Sequence, residues 1–202
     1  MHKIVQLIFL VGLAAVSTGA VAQETTAAEA DAATTEAEAT DDLSLGEPVG
    51  PQIGDLYVRE TFEDWAVRCV KAPEGEAEAC TMYQLLQNDA GVAVAEANIF
   101  PLPAGGQAAA GANIVAPLET LLTEQLTIAI ETRLPRRYPF AFCNRSGCVA
   151  RLGFTEEEVG NLKATQVAQV SLVPAAAPTT LITLDMSLSG FTAAYNALAA
   201  AN

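Results

Sequence analysis

Two pairs of cysteines, Cys69 with Cys80 and Cys143 with Cys148, constrain what this chain can fold into more than any other feature. The first pair brackets the polar stretch Ala72–Ala79 and the second the turn Asn144–Gly147, so an antiparallel return of the chain brings each pair together. Pairing within each hairpin closes loops of about 12 and 6 residues, and loop-closure entropy gives each crosslink roughly 2 to 3 kcal/mol. The competing pairings, Cys69 with Cys143 and Cys80 with Cys148 or the reverse, would join the two halves and close longer loops. Zinc fits poorly, because its sites favour two to four residues between paired cysteines, and a redox role lacks C-x-x-C.

Disulfides imply an oxidising compartment, and the N-terminus agrees. Met1-His2-Lys3 is a short basic start, Ile4 to Val16 is almost unbroken apolar sequence, and Ala20-Val21-Ala22 is a small-residue cleavage site, so residues 1–22 read as a signal peptide. No cysteine stands at the cleavage point to accept a lipid, and no later run is long enough to span a bilayer. The expected location is the periplasm or the exterior, with no transmembrane segment after signal cleavage. Residues 23–54 hold eight acidic side chains and no basic or aromatic one, which predicts a disordered acidic linker. Residues 55–202 are expected to form one domain.

Within that domain Trp65, Val67 and Cys69 alternate with Ala66, Arg68 and Val70, the period-2 pattern of a half-buried strand. Cys80–Leu86 and Val92–Phe100 continue a meander, and Pro101–Ala116 reads as a long Gly/Ala/Pro loop. Leu126–Thr132, Tyr138–Cys143, Val149–Phe154, Thr165–Val173 and Thr180–Leu188 are further strands. Thr155-Glu156-Glu157-Glu158 matches a capping box and predicts a short helix near 155–163. Phe191, Ala194, Tyr195 and Leu198 share one helical face, predicting a C-terminal helix near 190–200. The expected fold is mainly β: an antiparallel β-sandwich or partly open barrel of about eight strands.

Composition narrows function by exclusion. Past residue 54 there are sixteen acidic and nine basic residues, a net −7, the wrong balance for general nucleic-acid binding. His2 is the only histidine and falls in the leader, so the mature chain lacks His-based acid–base, nucleophilic and metal-ligand chemistry. Carboxylate pairs remain, but Glu156, Glu157 and Glu158 suit the first turn of a helix, and Asp64 beside Trp65 suits a turn more than a pocket. No catalytic residue, cofactor or metal site is expected. Five of the nine basic residues, Arg133, Arg136, Arg137, Arg145 and Arg151, fall within 19 positions. If they converge, their planar forks make a candidate surface for lipid headgroups, acidic glycans or an acidic protein segment; otherwise they protect edges and form surface ion pairs. Asn144-Arg145-Ser146 also matches a glycosylation sequon, a three-residue pattern short enough to arise by chance.

Phe62-Glu63-Asp64-Trp65-Ala66-Val67-Arg68-Cys69, Cys80-Thr81-Met82-Tyr83-Gln84, Cys143-Asn144-Arg145-Ser146-Gly147-Cys148 and Leu188-Ser189-Gly190-Phe191-Thr192-Ala193-Ala194 together resemble the invasion-associated locus B family, over about Thr61 to Leu198. Glu63 stands where the family usually has Gly, a departure expected to alter the turn before Trp65. The resemblance implies an exported protein of Gram-negative bacteria, virulence-associated through a contribution to host-cell invasion, with no catalytic residues or cofactor. The resulting expectation is a non-enzymatic binding module whose partner is an envelope or host-surface component, with anionic groups as candidate ligands. The alternatives are a carboxylate-dependent hydrolase of an envelope polymer and a purely structural periplasmic protein.

Overall fold

The computed structural model describes residues 44–131 and 133–200, so the leader and most of the acidic linker lie outside the described residues. The chain separates into two units, Met1–Glu47 and Pro48–Asn202, and the architecture below is that of the second. Its strands are β1 (Leu56–Phe62), β2 (Trp65–Val70), β3 (Ala79–Gln87), β4 (Ala93–Pro101), β5 (Ala110–Ala116), β6 (Leu126–Ile130), β7 (Arg136–Tyr138), β8 (Phe140–Asn144), β9 (Gly147–Phe154), β10 (Val167–Leu172) and β11 (Ile182–Ser187). Two helices, α1 (Glu156–Ala164) and α2 (Phe191–Ala199), complete it.

The strands form two antiparallel sheets, a seven-stranded one in the order β1-β2-β3-β4-β5-β9-β8 and a four-stranded one in the order β11-β10-β6-β7. They do not close into a barrel. Period-2 alternation buries one face of each. Trp65 and Val67 of β2, Met82 and Leu86 of β3, Ile99 of β4 and Ile114 of β5 lie in one core with Leu126, Ile128, Val170, Leu184 and Met186 of the smaller sheet. Among the described residues the other face of the large sheet is left open.

Among the described residues eleven strands stand where alternation marked about eight, and the stretch 101–116 corrects the expectation of a loop. Its second half is β5, a central strand paired with β4 and β9. Ala110, Ala112 and Ala116 are buried there although their small side chains mimic a loop composition. β1 also carries no sequence signal, because its Leu56 and Val58 face solvent and leave no inward alternation to detect. Pro139 separates β7 and β8, which belong to different sheets; a residue without an N–H suits the transfer between them.

The helices form where their signals lie. Thr155 caps α1: its Oγ1 accepts from the Glu158 N–H at 3.3 Å, and the Glu158 carboxylate accepts from the Thr155 N–H at 2.8 Å. α2 buries Phe191, Ala194, Tyr195 and Leu198, with the Phe191 ring edge-on to Trp65 at 5.5 Å between centroids. Burying such rings contributes about 2 to 3 kcal/mol each.

Candidate functional site

Disulfides join Cys69 to Cys80 and Cys143 to Cys148, each pair directly opposite across its hairpin. Among the described residues Cys69, Cys80 and Glu78 bring metal-type ligand atoms together, but both sulfurs are already in the disulfide. Glu78 serves local structure: its carboxylate accepts from the Tyr57 hydroxyl and pairs with the Lys71 ammonium at 2.9 Å. The Tyr57 hydrogen bond, then that of Lys71, holds the Glu78 carboxyl below its usual range, and the same contacts raise both partners.

Three of the four sequence blocks, those around Trp65, Gln84 and Gly190, meet at one clasp. The β1–β2 turn, Glu63-Asp64, lies against the segment Ser187–Gly190 between β11 and α2. Trp65 Nε1 and Gln84 Nε2 both donate to the Ser187 carbonyl at 2.9 Å, and Ser187 Oγ donates to Asp64 Oδ2 at 2.6 Å. Ser189 Oγ donates to the Glu63 carboxylate. Asp64 is therefore engaged in holding two turns together. Glu63 has a left-handed backbone (φ 50°), a conformation that a glycine adopts freely.

The five arginines occupy different parts of the surface. Arg133 and Arg136 come together beside the first turn of α1, where Arg133 pairs with Glu157, and Arg136 Nε with Glu158 Oε1 at 3.0 Å. They rim a cleft of about 460 Å³ floored by Ile128, Ile130 and Phe154. Tyr138 also lines it; burial, then the Glu158 charge, raises its hydroxyl pKa. Arg137 points to the opposite face of β7 from its neighbour Arg136, as strand geometry requires. Arg145 sits at the exposed tip of the β8–β9 hairpin, in a turn where Asn144 Oδ1 accepts from the Ser146 N–H at 2.8 Å. Arg151 stands in the middle of β9 on the open face of the large sheet.

That open face holds a row of polar side chains that charge clustering did not reveal. Tyr83, Asn98, Asn113 and Arg151 are successive paired partners across β3, β4, β5 and β9. Thr81, Asn98, Asn113 and Arg151 line a groove of about 350 Å³ whose other walls are Val115, Phe142 and Val149. Among the described residues no side-chain hydrogen bond engages Asn98 or Asn113, and Arg151 has no acidic partner within 4.0 Å. Beside the row, the Arg68 guanidinium lies 3.1 Å from the centroid of the Tyr83 ring. The Phe100 ring covers Gly111, where a Cβ would stand 2.5 Å from Cε2. The signal in the sequence was an Asn at an outward position in each of two strands otherwise dominated by small and aliphatic residues. A further cleft, of about 770 Å³ beside the 101–109 loop, has Glu156 as its one charged wall.

The fold and its clasps define a two-sheet antiparallel β protein whose paired hairpins are each locked by a disulfide. The model of the family described as "Invasion associated locus B (IalB) protein" matches residues 65–199, and the chain belongs to that family. The crystal structure of invasion associated protein b from Bartonella henselae is similar in fold, with a TM-score of 0.56 and 21% sequence identity, covering 70% of this chain and 94% of that one. No curated protein sequence matches the chain.

Proposed function

We propose that the protein is an exported, non-enzymatic binding module of the cell envelope or surface, and that it engages an anionic component through the open face of the seven-stranded sheet. The observation that carries this reading is the row Asn98, Asn113 and Arg151, polar groups on an open face with no side-chain partner among the described residues. Exposed polar side chains gain little from internal pairing, but a row aligned across three strands offers preplaced contacts to a ligand. Export is supported by the two disulfides and the leader-like N-terminus. The non-enzymatic reading is supported by the carboxylates of the α1 cleft, since Glu157 and Glu158 each hold an arginine and Glu158 also caps the helix. The family description is what supports a contribution to host-cell invasion. A photocrosslinking residue at position 113 in intact cells, followed by identification of the adduct, tests the proposal. The expected result is a discrete adduct weakened by Arg151→Gln. Absence of any adduct from the sheet face, or turnover of an envelope polymer lost with one acidic substitution, would overturn it.

A further inference from the structure

Resting on that binding reading, the chemistry of the open face selects one ligand class. Asn98, Asn113 and Arg151 occupy adjacent strands, and a strand spacing of about 4.8 Å spreads the three groups over roughly 10 Å. Each asparagine amide both donates and accepts, so it matches hydroxyl or amide groups that do the same. Arg151 presents a planar fork suited to a carboxylate. Phe142, half exposed, and Val149 line the groove beside Arg151, giving it an apolar wall. Glu96 lies two residues from Asn98 on the same face of β4, opposite Val115. A second anion is unwelcome there, whereas a hydroxyl donor is accepted.

Other ligand classes fit less well. An acyl chain would cover two asparagine amides without satisfying them, which costs about 1 to 3 kcal/mol per group. A densely charged phosphate polymer crossing this face from Arg151 would meet Glu96, one row over and two strands away. A peptide strand adds to a sheet edge, and this is a sheet face whose backbone groups are already committed to β4–β5 and β5–β9 pairing.

We propose that the open face is a binding site for an acidic saccharide chain. The chain lies across the strands with a carboxylate on Arg151, hydroxyls on Asn113 and Asn98, and the C–H face of a sugar ring against Phe142 and Val149. Arg68, stacked on Tyr83 at the far end of the row, sets a second positive boundary.

The test titrates the full, disulfide-intact protein with a hyaluronan oligosaccharide, whose carboxylates fall on every second sugar, with a neutral cello-oligosaccharide of equal length, and with phosphatidylglycerol vesicles. Calorimetry and amide chemical shifts report binding, and near-ultraviolet circular dichroism checks that each variant is folded. The hyaluronan oligosaccharide is expected to bind more tightly than the neutral chain and to perturb β4, β5 and β9. Asn98→Ala and Asn113→Ala should each weaken both saccharides by about tenfold. Arg151→Gln should abolish the preference for the acidic chain, and Arg145→Gln, at the hairpin tip, should leave binding unchanged. Vesicle binding that depends on Arg151 without saccharide binding overturns the saccharide inference and leaves the binding module standing. The saccharide inference alone also falls if no probe binds while the adduct at position 113 still forms in cells. If no probe binds and no adduct forms, both readings fall.

Discussion

Glu63 and Gly190 face each other across the clasp, both in left-handed backbone, with φ of 50° and 79°. A Cβ at Gly190 would overlap the Phe62 carbonyl and lie 3.1 Å from the Glu63 Cβ. Gly190 therefore cannot accept a side chain, whereas Glu63 tolerates its own at a cost of about 1 to 2 kcal/mol. Gly190→Ala should destabilise by about 3 kcal/mol or more. Glu63→Gly should stabilise by about 0.5 to 1 kcal/mol after loss of the Ser189 hydrogen bond, while Glu63→Ala, which loses that bond and keeps the strain, should destabilise. Urea unfolding of the three variants checks the order.

Removing the Cys69–Cys80 crosslink by a paired substitution to alanine should cost about 2 to 3 kcal/mol in thermal or urea unfolding. The Cys143–Cys148 pair closes the shorter loop, so its loss should cost about 2 kcal/mol and loosen mainly the β8–β9 hairpin. Amide exchange locates the loosening, and spread beyond β8 and β9 would contradict it.

Thr155→Ala removes the side-chain half of the capping box and should cost about 1 kcal/mol, with Thr155→Asn retaining most of the stability. Because Glu157 and Glu158 hold Arg133 and Arg136, fraying of the first turn of α1 should also raise amide exchange at Arg136 and Arg137.

The carboxyl of Glu78 has a folded pKa depressed below its usual 4.5 by Tyr57 and Lys71. A depressed acid contributes stability above its unfolded pKa and loses it as pH falls through the folded one. Glu78→Gln should therefore be less stable than the parent at pH 7, and the difference should shrink as the pH drops from about 4.5 downward. Tyr57 and Lys71, both raised, work in the other direction: their contribution is present below their usual values of 10.0 and 10.5 and declines as pH rises further. Unfolding curves from pH 2 to 11 should show the gap between parent and variant closing at both ends.

What the sequence made legible depended on whether a signal was local. The alternation of Trp65, Val67 and Cys69, the Thr155–Glu158 box and the Phe191–Leu198 face each need only a few consecutive residues, and each appears where expected. β5 did not, because a central strand whose only bulky residues are Ile114 and Val115 among alanine, glycine and asparagine lacks the bulky alternation that marks a strand. The small residues are explained only by neighbours far along the chain: β4 and β9 on its flanks and the Phe100 ring over Gly111. The arginine run divides for the converse reason. Residues close in sequence diverge when they alternate across β7 or climb a hairpin, so Arg136 and Arg137 part company, while Arg151 finds Asn98 and Asn113 from distant strands. Sequence proximity measured charge density without measuring convergence.

The hydrogen bond from Trp65 to the Ser187 carbonyl spans 122 positions, and Trp65 is the sole tryptophan. A chain delivered N-terminus first would complete the β1–β4 meander long before that carbonyl arrives, leaving the indole wet at the end of an unfinished sheet. Its fluorescence should therefore report the last act of assembly rather than the first, blue-shifting only once β11 and α2 are in place. The same delay exposes the inner face of the meander during export, a window in which a holding chaperone would have something to grip.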